Sequence, residues 1–190
     1  MTTIVTTQSG NYATLVADQG ITSDLIHPPM PKVVRSNSWL IAYAGDINRN
    51  AGILQHCIKY PKPPATILDK DLNTWDKWFI TKVIPLIAHN LEADNSDWEA
   101  ILVTHGKAFH LNNLLGVSSA HPYWAIGTGA TLAIGALAST CDNPDWYKNH
   151  DIHAVNAINT AIMHDPNTRG PINRYYSYAT GDVGTEYGLQ

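Results

Sequence analysis

The residue with the most distinctive chemistry is Thr2, which directly follows Met1. A threonine at the start of a chain carries a hydroxyl nucleophile and an α-amino group side by side. The amino group has an ordinary pKa of about 7.7–8.0, close to the pH at which most enzymes work, so it can serve as a general base. This pairing of nucleophile and base needs a free amine. We therefore expect Met1 to be removed, which a small second residue such as threonine generally permits.

The stretch that positions Thr2 reads as a hairpin. Residues 3–8 are rich in threonine, valine and isoleucine, which suit a pleated surface, and Ser9-Gly10-Asn11 supplies a turn. A second strand then ends at Asp18. The hairpin therefore carries Thr2 and Asp18 into the same part of the fold.

The rest of the chain alternates groups of strands with groups of helices. We predict strands at 32–35, 39–44, 99–104, 107–111, 123–126 and 172–179. Helices are predicted after Asp46, from about Thr74 onward with a bend at Pro85, over 130–139 and over 151–164. The helix at 130–139 is apolar on almost every side and should be buried or lie at a subunit contact. The order predicts an α+β fold, a four-layer α-β-β-α sandwich of two antiparallel sheets flanked by helix pairs.

Composition limits the function classes. The 190 residues suit a single domain spanning 1–190, and residues 180–190 are expected to be a loose tail or to dock on a neighbour. A net charge of −4 gives no support for nucleic-acid binding, and no apolar run reaches the roughly 18 residues that a membrane span needs. Two cysteines and no signal-peptide pattern predict a cytoplasmic location. Charged residues are only 15% of the chain, which suggests that neighbouring subunits cover part of the surface.

Other chemistry is weakly supported. The histidine pairs His150/His153 and His105/His110 lack the further ligands of a zinc site, so we assign them structural or solvent-facing roles. The Gly127-Thr128-Gly129 segment lacks the third glycine of a dinucleotide fingerprint.

A series of short motifs resembles a known family, in order, over nearly the whole chain. Ala-Asp-Gln-Gly-Ile-Thr at 17–22 is similar to its Asp-x-x-x-Thr segment, and Lys32 follows at a suitable distance. Ala-Gly-Asp at 44–46 resembles its glycine turn, Ala-Ile-Gly-Thr-Gly at 125–129 its Ala-x-Gly-Ser-Gly, and Asp165-x-x-Thr168 its Asp-x-x-Ser. The chain thus resembles the proteasome β-subunits and bacterial HslV peptidases, the threonine-type N-terminal-nucleophile hydrolases.

The resemblance implies a catalytic role for four residues, the nucleophile among them. Thr2 would attack a peptide carbonyl, and Lys32 would stand beside it as a cation. Asp18 would pair with Lys32, although an exposed salt bridge of this kind can also be purely structural. The backbone N–H of Gly45 would stabilise the oxyanion.

A second polar set would surround the amino group of Thr2. It consists of Thr128, Asp165 and Thr168, with threonine at two positions where the family has serine. Thr128 has an alternative as a helix cap. Backbone carbonyls near Ile162, Asp165 and Thr168 would be the ligands of a structural sodium or magnesium ion, and no cofactor is required.

The resemblance also implies substrate contacts and partners. Thr22 would pair with an extended peptide through its backbone, and Met30 and Tyr43 would line the pocket for the residue before the cut. Family members form homo-oligomeric rings or stacked rings, degrade unfolded polypeptides and work with an ATP-dependent unfoldase. The alternative is a catalytically silent structural subunit of the same fold that retains Met1.

Overall fold

The computed structural model describes residues 2–10, 12–19, 32–45, 61–90 and 97–189. The predicted helix after Asp46 lies outside these ranges. The described strands form two antiparallel sheets of five strands each. The first sheet has the order β10-β9-β2-β1-β8, and the second has the order β3-β4-β5-β6-β7. The strands are β1 Thr3–Ser9, β2 Tyr12–Asp18, β3 Val33–Ser36, β4 Trp39–Gly45, β5 Trp98–Thr104, β6 Lys107–Asn112, β7 Val117–Ser119, β8 Tyr123–Gly127, β9 Ile172–Tyr178 and β10 Val183–Leu189.

The helices lie on the outer faces of the sheets. On the second sheet, α1 (Leu72–Trp78) continues through a wider helical turn at Phe79–Val83 into α2 (Ile84–Asn90). On the first sheet lie α3 (Ala130–Ala138) and α4 (Trp146–His164), and a short 3₁₀ turn occurs at Ala65–Ile67. The wide turn ends two residues before Pro85, whose missing N–H cannot continue the regular helical hydrogen bonds.

Alternation along the strands separates three cores, because successive side chains point to opposite faces of a sheet. On β4, Leu40 and Ala42 pack between the two sheets, whereas Trp39 and Ile41 pack under α1 and α2. On β1, Ile4 likewise faces the second sheet, and the next residue packs under α3 and α4. The predicted four-layer sandwich is therefore confirmed.

Several predicted boundaries were wrong. The second predicted helix begins at Leu72, two residues earlier than expected, because the side chain of Asp71 accepts a hydrogen bond from Thr74 N at 2.8 Å and caps the helix. A short helical turn from Trp146 precedes the predicted last helix, and a kink at Asn149, where φ is −127°, separates the two. The three-residue strand β7 was not predicted, since it is too short to show alternation.

The C-terminal segment is not a loose tail. Its residues Val183–Leu189 form β10, an edge strand that pairs antiparallel with β9. Its glycines hid the strand pattern, and pairing with β9 supplies the backbone hydrogen bonds that the sequence by itself did not indicate.

The helix Ala130–Ala138 is only half-buried. Ala133 and Leu137 pack against the layer beneath, whereas Leu132 is exposed. The sequence predicted that this helix is either buried or lies at a subunit contact. Within this chain only one face is buried, and the other face is exposed. Among the described residues, no helix is long and apolar enough to cross a membrane.

A polar contact lies beneath α4. Thr7 Oγ1 is 2.9 Å from His150 Nδ1 and donates to the His150 carbonyl at 3.1 Å. Because the hydroxyl has one proton, the histidine must carry its own on Nδ1. Its buried Nε2 has no hydrogen-bond partner among the described residues. Burial is the main reason that the pKa of His150 falls to about 4.

We predict that this histidine makes stability fall in mild acid. Between pH 6.5 and pH 4 the unfolded chain binds a proton at residue 150 and the folded chain does not, so up to about 3 kcal/mol of stability is lost as the pH falls through this window. Denaturant unfolding at several pH values gives the free energy of unfolding as a function of pH. Between pH 6.5 and pH 4 this free energy should fall less steeply for His150→Gln than for the unchanged protein. The exposed His89→Gln is the control, and equal slopes for the two variants would contradict the prediction.

Candidate active site

The start of β1 is enclosed by its neighbours. Thr2 is only 7% exposed, and its carbonyl accepts a hydrogen bond from Thr128 N at 3.0 Å. Register places Thr3 opposite Gly127 on β8 and Ile4 opposite Ala17 on β2. The hairpin therefore brings the first residues of β1 beside the last residue of β2, as predicted.

The carboxylate of Asp18 is the centre of the first polar cluster. Its Oδ1 accepts from Thr2 Oγ1 at 2.8 Å, from Thr3 N at 2.8 Å and from Lys32 Nζ at 2.7 Å. Its Oδ2 accepts from Arg169 N at 3.2 Å. Since Thr2 Oγ1 and Lys32 Nζ reach the same oxygen atom, the predicted nucleophile, cation and carboxylate lie together.

The Asp18–Lys32 pair is not an exposed salt bridge. The side chain of Asp18 is fully buried, and that of Lys32 is 19% exposed. Burial lowers the pKa of Lys32, while its hydrogen bond to the Asp18 carboxylate opposes that shift. A buried ion pair of this kind is strongly destabilised when one partner is removed, so both charges depend on each other.

A second cluster forms around Asp165. Thr128 Oγ1 and Thr168 Oγ1 each donate to Asp165 Oδ2 at 2.6 Å, and Asn167 N donates to Oδ1 at 3.0 Å. Burial works to raise the pKa of Asp165, but these hydrogen bonds outweigh it and the pKa lies below its usual value. The alternative role of Thr128 as a helix cap is wrong, because Gly129 is the N-cap residue of α3 and no side chain caps that helix.

Sequence reasoning missed Thr3. Its hydroxyl oxygen lies 2.5 Å from Thr168 Oγ1 and accepts from Gly129 N at 2.9 Å, while its own N–H bonds to Asp18. Thr3 thus joins the two clusters. Its strand position was the available signal, since it shares with Val5 the face that packs under the helices, where a buried polar side chain needs a partner.

Gly45 ends β4 with a backbone that favours glycine. Its φ is +90°, and an added Cβ would lie 2.3 Å from the Asp97 carbonyl oxygen. The residue lies at the same end of the second sheet as Lys32, whose carbonyl accepts from Tyr43 N at 3.2 Å. The role of its N–H toward an oxyanion stays a prediction.

The predicted substrate contacts are untested. Thr22 and Met30 lie outside the described residues. Tyr43 is 5% exposed and packs with Trp39 and Ile41 in the core under α1 and α2. Its ring therefore lies on the face of β4 that points away from the space between the sheets, and its role in a pocket stays a prediction.

The predicted cation site rests on backbone carbonyls. The carbonyl of Asp165 accepts from Thr168 N at 3.1 Å and keeps a second lone pair for a ligand. Ile162 packs with the core under α3 and α4, and the ion itself stays a prediction. In the ranges that the structure covers, no three histidine, cysteine or acidic side chains are grouped to hold a metal.

We predict that Gly127→Ala unfolds the site. Gly127 has a φ of +91°, and an added Cβ would lie 1.9 Å from the Thr2 carbonyl oxygen. Strain and this backbone clash should cost at least about 2 kcal/mol. Gly135→Ala is the matched control, because that glycine lies in α3 with open space around it and the change should stabilise by about 0.5–1 kcal/mol. Denaturant unfolding of both variants measures these two opposite changes in stability. Equal stabilities of the two variants would contradict the prediction.

Comparison with known proteins gives matches at the level of structure only. No protein-family model and no curated protein sequence matches the chain. BPH from Thiobacillus denitrificans, in complex with epoxomicin, aligns with a TM-score of 0.63 and 13% identity over 93% of this chain and 98% of its own. HslV from Trypanosoma brucei aligns with a TM-score of 0.65 and 18% identity over 96% of this chain and 98% of its own. The chain therefore has the fold of HslV, a four-layer sandwich of two five-stranded antiparallel sheets between helical layers.

Proposed function

We propose that this chain is a threonine-type endopeptidase of the HslV and proteasome kind, active once Met1 has been removed. One observation carries the proposal. The hydroxyl of Thr2 binds a buried carboxylate, Asp18, that also holds the ammonium group of Lys32. A structural role alone would not require a hydroxyl, a carboxylate and a cation to meet at Thr2, the residue directly before β1.

The reaction proposed is acyl transfer in two stages. Thr2 Oγ forms a bond to the scissile carbonyl carbon, and the α-amino group takes up the hydroxyl proton and passes it to the leaving amine as the C–N bond breaks. Water then hydrolyses the resulting ester and restores the hydroxyl. Lys32 holds positive charge beside the nucleophile and favours its reactive state.

Neighbouring groups would complete the site. The N–H of Gly45 is the proposed oxyanion donor, a contact whose loss typically costs about 3 kcal/mol. Thr128 and Thr168 donate their protons to Asp165, so they offer only lone pairs to other groups. A free amine on Thr2 would be a suitable donor to them.

Assembly into a ring is part of the proposal. Leu132 on α3 and Ile152 and Met163 on α4 are large apolar side chains exposed on the outer helical layer. A subunit contact would remove such surface from water. A homo-oligomeric ring, a polypeptide substrate, an unfoldase partner and a cytoplasmic location remain predictions from the family resemblance.

We predict that the purified protein lacks Met1 and forms one covalent adduct with a peptide epoxyketone. This probe reacts with both the hydroxyl and the free amine of an N-terminal threonine, so intact mass tests nucleophile and base together. Thr2→Ala should give no adduct. A mass that retains Met1 with no adduct would contradict the proposal and favour the silent structural subunit.

We predict that Lys32→Met slows adduct formation and peptide hydrolysis by about 100-fold or more, because the cation beside the nucleophile is lost. Lys107→Met is the matched control. Lys107 is also a partly buried lysine whose pKa burial lowers, but it begins β6 opposite Thr104, at the other end of the second sheet. Equal adduct rates in the two variants would exclude a catalytic role for Lys32.

A further inference from the structure

Thr3 contacts both polar clusters of the site, through its backbone N–H on one side and its hydroxyl on the other. Its backbone N–H donates to Asp18 Oδ1 at 2.8 Å. Its side chain meets Thr168 Oγ1 and Gly129 N, at 2.5 Å and 2.9 Å. Thr3 itself is fully buried, so each of these contacts is made away from solvent.

The direction of the hydrogen bonds around Thr3 follows from counting protons. Thr168 has one hydroxyl proton, and it goes to the Asp165 carboxylate at 2.6 Å. The proton between Thr3 and Thr168 must therefore come from Thr3, whose oxygen accepts in turn from Gly129 N. The hydrogen bonds thus all point in one direction, with each group donating to the next, from Gly129 through Thr3 and Thr168 to Asp165.

The peptide group between Thr2 and Thr3 is held from both sides. The Thr2 carbonyl accepts from Thr128 N at 3.0 Å, and the Thr3 N–H bonds to Asp18. The loop at 128–129 packs tightly against Thr3 and Thr168, since a Cβ added to Gly129 would lie 2.5 Å from Thr3 Oγ1 and 2.9 Å from Thr168 Oγ1. The side-chain bonds of Thr3 therefore fix the backbone that carries the nucleophile.

We propose that Thr3 is a positioning residue for the reaction at Thr2, an inference that rests on the proposed function. Its hydroxyl has two effects. It holds the residue 2–3 peptide in place between β2 and the loop at 128–129, and it donates its proton to Thr168 Oγ1. Since Thr168 donates to Asp165 and accepts from Thr3, it keeps a single lone pair for the amino group of Thr2.

The inference predicts a loss of rate together with a shift in pH dependence. Thr3→Val replaces the hydroxyl by a methyl group beside Thr168 Oγ1 and leaves Gly129 N without its acceptor. Small displacements of a reacting group can cost up to about 100-fold in rate, so the limiting rate of epoxyketone labelling should fall 10-fold or more while its half-saturation concentration changes little. The variant also frees a second lone pair on Thr168 as an acceptor for the ammonium form of the Thr2 amine, which should raise the pKa of that amine and move the acid side of the pH profile to higher pH.

Two further variants separate positioning from stability. Thr3→Ser keeps the hydroxyl and should label within about threefold of the unchanged chain. Thr6→Val is the matched control, because Thr6 is a buried threonine on the same strand whose hydroxyl bonds the Thr14 carbonyl at 2.9 Å. Replacing it removes a comparable hydrogen bond and should leave the pH profile unchanged.

The experiment measures labelling rate against probe concentration and pH at a temperature where each variant is folded by circular dichroism. If Thr3→Val is unfolded there, Thr3→Ala takes its place, since it removes the hydroxyl without adding bulk beside Thr168. A rate and pH profile equal to those of Thr6→Val would overturn the inference alone. Absence of labelling in the unchanged, Met1-free chain would overturn the proposed function, and the inference with it.

Discussion

The site depends on one buried carboxylate. Asp18 is 1% exposed, and an ionised carboxylate in that position is unfavourable by several kcal/mol unless donors surround it. Among the described residues, Thr2, Thr3, Lys32 and Arg169 supply such donors. They come from three separate parts of the chain, so the charge can be accommodated only when β1, β2, the start of β3 and the loop before β9 have assembled.

The ion pair of the same carboxylate with Lys32 links the two sheets. Asp18 ends β2 of the first sheet, and Lys32 directly precedes β3 of the second. The apolar core between the sheets, with Ile4, Ala17 and Val33 among its members, excludes water from this end of the sandwich. An ion pair at such a border is stronger than one at the surface, because the surrounding dielectric is lower.

The second cluster shows how a substitution of threonine for serine is accommodated. Thr128 and Thr168 both reach Asp165 Oδ2 through their hydroxyls at 2.6 Å. The extra methyl groups do not prevent these hydrogen bonds, and the hydroxyl remains both donor and acceptor. The departures from the family motif therefore preserve its polar chemistry in this structure.

Local sequence was sufficient for elements whose pattern is complete within a few residues. The first hairpin, the apolar strand β4 and the apolar helix at 130–139 could all be predicted, because the residue patterns of strands and helices are local properties. The helix start at Leu72, the helical turn from Trp146 and the strands β7 and β10 were missed. Caps, short strands and glycine-rich edges depend on partners elsewhere in the chain.

The candidate site divides in the same way. The sequence by itself determined the residue types that could do the chemistry, Thr2, Asp18 and Lys32, since a nucleophile next to an amine, a carboxylate and a cation can be recognised from their order and a family resemblance. Only the tertiary structure decided that their side chains meet and that Thr3 joins them to Asp165. Hydrogen bonds between Thr3 and Thr168 span 165 positions, and nothing in local sequence specifies a contact over that separation.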